Sequence, residues 1–322
     1  MSKPALEMTE VREFARAAEL MNEVWKAPSW RYSDQLLTEY LGRGEFCCAV
    51  GAEVAGELVG FIGGMPFSGR IGNLPLNGIF TSFFTAHPKA SVYGVSTRLL
   101  SGLVDQAKSR GAEWYVTLLE ANKQTQPLIE ALHRRAGLAV KELLRIEFWV
   151  GGPRFLQLES EPLKLERFTE DALGQCRALL VLNAPAAGIA HVPTEKEFRA
   201  IFGSKEPAWL WRERGQVLAC VVLRRREVRA SVARTNLHGD WVLFAPELDR
   251  AQRARFLRSA LSASGLEDIS MVVLPRVGSC DADLLREVRF LQGPRNMALC
   301  AAHLHDKTKS LEPVQSALVE VY

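Results

Sequence analysis

A chain of 322 residues exceeds the usual span of one domain and suggests two. Its 40 Lys and Arg against 37 Asp and Glu leave a charge of +3, with 17 basic and 17 acidic residues over 1–160 and 23 and 20 over 161–322. Neither half concentrates the charge that tracks phosphates, which argues against a dedicated nucleic-acid binder. No stretch of 18 apolar residues is present, and Glu7, Glu10 and Arg12 interrupt the start before an apolar block forms, so neither a spanning helix nor a secretory signal is expected. Cys47, Cys48, Cys176, Cys220, Cys280 and Cys300 follow no metal or thioredoxin spacing and mostly sit in apolar runs. These features predict a reduced, cytoplasmic protein with no metal.

In chain order, Ala17, Leu20, Met21, Val24 and Trp25 fall at helical spacing within 14–26. Ser33 and Asp34 offer caps for a second helix to Leu41. Strands follow over 46–50 and 57–67, with the 51–56 region as a turn. Gly60, Gly63 and Gly64 imply a bulge in the second of these, or close approach of a backbone or ligand. Residues 76–86 make a third strand, ending in GIFTSFFTA. A loop then leads to a helix over 96–109, whose apolar stripe is Leu99, Leu100, Leu103, Val104 and Ala107. Gly111 is its expected C-cap. A strand over 113–119, a helix over 126–135 ended by Gly137, and a strand or pair over 138–150 complete the first half.

Gly151-Gly152-Pro153 breaks the pattern. The second half repeats the order: helices over 173–182 and 194–202, strands over 208–213, 216–223, 228–234 and 241–244, then a charged helix after Pro246. A strand over 271–274, a helix over 281–288 and a strand over 297–304 follow. Residues beyond Asp306 read as a tail or crossing segment. The expected boundaries are a first domain over 1–152, a linker over 153–162 and a second domain over 163–322.

Chemistry concentrates in TAHPKASVYGVSTRLLSGLVDQA, residues 85–107, between a strand and an amphipathic helix. A loop there aims backbone N–H groups and the helix dipole at one point, which is an anion site. Gly94 permits a tight turn, and Ser96 is a possible N-cap. It is neither a Walker loop nor a dinucleotide fingerprint.

This segment resembles the acyl-CoA loop of the GNAT (N-acetyltransferase) superfamily, usually Arg/Gln-x-x-Gly-x-Gly/Ala after a strand and a Pro. Set on Pro88, the motif falls on Ser91, Val92, Tyr93, Gly94, Val95 and Ser96, with Ser91 in the Arg/Gln place. The resemblance implies an α/β fold of two tandem GNAT-like domains, each a mixed, mostly antiparallel sheet flanked by helices. It implies that the amides of Val92, Tyr93, Gly94, Val95, Ser96 and Thr97 hold the CoA pyrophosphate. Phe84, Thr85 and Ala86 would border pantetheine in a splayed gap between two central strands. On the distal helix, His133 stands in the place of the family's proton-donating Tyr, and Gln126 in that of its Asn. The Glu that members often carry five or six residues before the Pro is replaced by Phe83 and Ser82. Glu120 and His87 are the substitutes as base, beside a water chain through Thr81, Ser82 or Thr85.

In the second half, Pro246 aligned with Pro88 sets Asp249 at the Arg/Gln place and Gln252 at the Gly, so this copy reads as degenerate. The function implied is acyl transfer from acetyl-CoA or another acyl-CoA (or acyl thioester) to the amine of a small molecule. A malonyl-thioester decarboxylase and a non-catalytic acyl-CoA-binding protein remain alternatives. Trp25, Trp30 and Tyr32 read as core anchors or as an acceptor wall. The run from Arg224 to Arg229 reads as a solvated hairpin, and His303 and His305 as surface or core histidines.

Overall fold

A computed structural model describes residues 5–26, 29–42, 48–72, 74–120, 126–156, 161–203 and 208–319; Cys47 lies outside them. The chain forms two compact units. Unit 1 gathers 1–68, 76–145 and 297–313; unit 2 gathers 69–75, 146–296 and 314–322.

Unit 1 opens with strand β1 (Leu6–Glu10) and helix α1 (Ala15–Val24), then the two-residue strand β2 (Ser29–Trp30) and helix α2 (Asp34–Leu41). Ser33 caps α2 by accepting the Leu36 N–H. Strands β3 (Cys48–Val54) and β4 (Glu57–Ile71) meet through Ala55 and Gly56, both left-handed, the two-residue turn that matches strand twist. Gly51 therefore lies in β3 rather than in the turn. Strand β5 (Leu74–Ala86), helix α3 (Val95–Ser109), strand β6 (Trp114–Glu120) and helix α4 (Gln126–Arg135) follow. The expected α3 stripe is buried, and left-handed Gly111 and Gly137 end α3 and α4. The sheet order is β1-β3-β4-β5-β6, with β3 antiparallel to both β1 and β4, and β5 parallel to β6. Met297–His303 closes it, antiparallel to β6. Side chains, not a ligand, occupy the space beside the β4 glycines. A Cβ on Gly60 would strike Val95 and Leu99, and one on Gly63 would strike Leu41.

Unit 2 receives the end of strand β7 (Lys141–Gly151) and continues with β8 (Leu165–Arg167), α5 (Leu173–Asn183), β9 (Ile189–His191) and α6 (Glu195–Phe202). Thr194 and Glu197 form a reciprocal capping box at α6. Then come β10 (Ala208–Glu213), β11 (Gln216–Arg229), β12 (Arg234–Phe244), α7 (Arg250–Ala263), β13 (Ile269–Pro275), α8 (Ala282–Glu287), β14 (Leu291–His303) and β15 (Ala317–Leu318). Its sheet runs β8-β10-β11-β12-β13, and Phe148–Gly151 of β7 closes it antiparallel to β13. Along this run, β12 and β13 are again a parallel pair. The tail supplies β15, which pairs with β9.

The two units share local irregularities. Arg214 and Gly215 reproduce the left-handed turn of Ala55 and Gly56. The register of β3 with β4 slips after Ala52, and that of β10 with β11 slips after Trp211. The arginine run departs from its solvated-hairpin reading, because residues 224–229 lie within β11 and the turn comes after them. Arg224 is fully buried and paired with buried Asp240, while Arg225 reaches Asp268 at 2.5 Å. Local charge argued for solvent; carboxylates distant in sequence make burial tolerable.

His238 on β12 gives unit 2 a pH dependence. Desolvation first, then the charges of Arg226 and Arg295, push its pKa down to about 3. A folded-state value below the unfolded ~6.5 means the unfolded chain binds more protons in between. The stability present above pH ~6.5 is therefore lost as pH falls toward about 3, by roughly 1.4 kcal/mol per unit. Urea midpoints between pH 7 and 5 should drop by an amount equivalent to about 2 kcal/mol, and His238→Gln should flatten that slope. An unchanged slope in the variant would exclude His238 as the cause.

Candidate active site

The parallel pairing of β5 with β6 runs from Gly78 opposite Trp114 to Thr81 opposite Thr117 and stops. Beyond it, residues 82–86 and 118–120 continue as strands without pairing to each other, so a fork opens between them.

Phe83 shapes this fork. Its φ is +57°, a region costly for a bulky residue and tolerated only where packing holds it. Tyr32 and Tyr40 do so, with ring centroids 6.4 and 5.7 Å from Phe83. The irregularity shifts the strand's alternation. Before it, Ile79 faces α3 and Phe80 stacks on Phe67 on the other side. After it, Phe84 and Ala86 face the α3 core, while the Thr85 hydroxyl accepts from Trp25 Nε1 at 2.8 Å on the other. Half-buried Phe84, Ala86, Tyr93 and Leu132 thus pack against the same apolar core. Trp25 is 45% exposed, so it is not a core anchor.

At the fork's open end stands the start of α3. Residues 88–93, holding Val92 and Tyr93, form a 3₁₀ helix, and Gly94 at φ +64° is the N-cap of α3. Ser96 lies inside the helix and is not the cap. No side chain caps α3, so the Val95, Ser96 and Thr97 amides have no acceptor within it. A Cβ on Gly94 would meet nothing within 4 Å. Free donors, the helix dipole and open space coincide, which suits a pyrophosphate. The counterpart in unit 2 differs. Asp249 caps α7, taking the Gln252 N–H at 2.8 Å while Gln252 bonds back at 3.0 Å. A carboxylate already occupies that helix end. The helix also starts sooner after its Pro, because unit 1 inserts the 3₁₀ turn. Leu274 would collide with a Cβ on Gly239 of the facing strand, so a side chain fills the space there.

The expected acid–base residues do not converge. His133 is buried on α4, with Nδ1 2.8 Å from the Ile129 carbonyl and Nε2 3.0 Å from the Tyr115 hydroxyl. A carbonyl only accepts, so Nδ1 carries the proton and Nε2 accepts from Tyr115. Burial pushes its pKa below the usual histidine range, against the Ile129 bond, and the ring is neutral near pH 7. His87 accepts the Lys89 N–H through Nδ1 and meets Glu23 at 3.0 Å through Nε2. It caps the 3₁₀ turn. Glu120 is exposed at the end of β6, on the rim of the fork. The Gln126 side chain lies outside the described residues.

Tyr115 is the residue missed in the sequence. Burial raises its phenol to about 12, although the Thr81 and Thr117 hydroxyls beside it pull the other way. Its only sequence signal was a polar ring at alternate spacing to Thr117 on a strand otherwise apolar.

The family model described as the Acetyltransferase (GNAT) family matches residues 17–133. Residues 17–133 are a GNAT domain. The match runs from α1 through the fork to His133. Crystal structures of Saccharomyces cerevisiae N-myristoyltransferase with bound myristoyl-CoA share the fold, with a TM-score of 0.75 at 9% identity over 94% of this chain and 79% of that one. A conserved protein of unknown function from Enterococcus faecalis V583, a probable N-acyltransferase, gives 0.58 at 9% identity over 93% and 72%. No curated protein sequence matches the chain. The likeness extends beyond the GNAT domain, since both structures cover unit 2 as well. The expected α/β architecture of mixed, mostly antiparallel sheets flanked by helices holds.

Proposed function

We propose that the GNAT domain binds an acyl-CoA and transfers an acetyl or other short acyl group to the amine of a small molecule. The uncapped start of α3 at Gly94, at the mouth of the fork, carries this reading. Val95, Ser96 and Thr97 would donate to the pyrophosphate, and the β5 backbone beyond its pairing with β6 would border the pantetheine amides. Phe84 and Ala86 would border that arm. When bound, the acyl-CoA supplies the thioester. N–H groups of β5 near the irregular backbone at Phe83 would polarise the thioester carbonyl. With His87 and His133 engaged, Glu120 at the rim is the group left to pass the amine proton to solvent. Filled space beside Gly60 and Gly63 favours a short acyl chain. Unit 2, with a capped helix, would be a scaffold without a CoA site.

The engagement of both histidines also favours a second reading, acyl-CoA binding without turnover. Calorimetry with CoA, acetyl-CoA, malonyl-CoA and myristoyl-CoA tests the donor: one site of micromolar affinity for CoA and acetyl-CoA is expected. Absence of binding to folded protein would sink the donor assignment. Thiol release over a panel of amines then separates transfer from binding, and CO2 release from malonyl-CoA without amine would mark a decarboxylase.

A further inference from the structure

Unit 2 holds a cavity of about 670 Å³ along α5 and α6. Helix α5 carries apolar side chains on its inner and its outer side. Leu173, Cys176, Leu179 and Leu180 turn inward and are buried, while Val181 and Leu182 are 47% and 58% exposed. A helix of that kind is ordinarily covered on both sides. Here Ala178, Val181 and Leu182 line the cavity instead.

Arg177, one turn before Val181, lines the same cavity. Its Nε is enclosed, with no hydrogen-bond partner among the described residues. An enclosed guanidinium N–H without an acceptor is destabilising. The acids nearby do not supply one. Glu170 and Glu195 also line the cavity, but both go to Arg199, at 2.5 and 3.1 Å. Arg177 is left as a cation without a carboxylate, beside an apolar wall.

We propose that this cavity binds a small aliphatic carboxylate, its head on Arg177 and its chain along Ala178, Val181 and Leu182. A planar carboxylate matches the guanidinium fork and takes two parallel N–H bonds, Nε included. The lining selects a single negative charge. Glu170 and Glu195 outnumber Arg199, so a doubly charged phosphate would meet twice the repulsion that a carboxylate meets. Size favours a small molecule over a protein. Nine residues line the cavity, against about 20–30 on each side of a stable protein interface. Its volume of about 670 Å³ falls within the roughly 300–1,000 Å³ of small-molecule sites. From Arg177 to Leu182 the helix advances about 7.5 Å at ~1.5 Å per residue, a reach suited to a chain of medium length. This site belongs to unit 2 and is independent of the acyl-CoA reading above.

Octanoate, octanol and octylammonium, each titrated below micelle formation against the full chain with methyl NMR at Val181 and Leu182, test this. Octanoate should shift those methyls with a Kd below about 1 mM. It should bind about tenfold tighter than octanol, the worth of a charged hydrogen bond, and octylammonium no better than octanol. Arg177→Gln should remove that preference and leave octanol binding unchanged, while Arg177→Lys should keep part of it. Ala178→Phe, which fills the cavity and keeps the charge, should weaken octanoate and octanol alike. Folded wild type that does not bind octanoate overturns the proposal, as does equal binding of octanoate and octanol. A preference that survives in Arg177→Gln, or shifts confined to methyls of unit 1, overturns it too. Tighter binding of inorganic phosphate than of octanoate would overturn the carboxylate. Shifts at Val181 and Leu182 that follow protein concentration without octanoate would make this face a contact between copies of the chain and overturn the small ligand.

Discussion

Gly94→Asp should lower CoA affinity by on the order of 100-fold while the fold persists. The substitution gives α3 the carboxylate that Asp249 already gives α7. It would compete for the Val95, Ser96 and Thr97 amides and repel a pyrophosphate held there. Losing one or two charge-assisted hydrogen bonds, at about 1.5–3 kcal/mol each, corresponds to that factor. Gly94 is left-handed, so any side chain there costs about 1 kcal/mol. Gly94→Asn carries the same backbone strain without the charge and separates the two effects. Calorimetry should find Gly94→Asn within about tenfold of wild type and Gly94→Asp far weaker. Equal losses in both would assign the effect to strain and remove the helix start from the binding site.

The anion end of the site was legible because its signals are local: a strand, a Pro, a Gly that needs positive φ, and an amphipathic stripe. Helix α4 and strand β10 begin and end at the residues the sequence predicts, for the same reason. Strand β1 escaped notice because it pairs only with β3 and leaves most of its side chains exposed, so it lacks a clean apolar alternation. The closing strands were illegible in a different sense. Residues 138–150 and 297–304 read correctly as strands, but nothing local says that β6 would pair with Met297–His303. The histidine pair shows the limit for chemistry. His133 looked available at its helical position, yet its partner Tyr115 lies eighteen residues away on a strand whose facing is fixed by tertiary packing. A carbonyl four residues back consumes the other nitrogen. A motif can name a position, but only the surrounding hydrogen bonds decide whether a ring is free to act.

Asp240→Ala should destabilise unit 2 by about 3–5 kcal/mol, the usual loss when one partner of a buried ion pair is removed. Arg224 is fully buried and Asp240 4% exposed, so the guanidinium would keep its charge in a site without water. A bond to the Ile201 carbonyl, at 3.0 Å, does not neutralise it. For a unit of this size that loss corresponds to a melting shift of roughly 6–20 °C. Replacing both partners, as Arg224→Met with Asp240→Leu, should recover most of it, because matched apolar groups avoid the desolvation that the pair endures. An Asp240→Ala protein melting within about 2 °C of wild type would mean that water reaches Arg224. The prediction also bears on function. Asp240 lies six residues before Pro246, where the resemblance to GNAT proteins places a base, and a base must be free to take a proton. Here the carboxylate faces a guanidinium inside the sheet, so the same bond that stabilises unit 2 holds it away from a base's role.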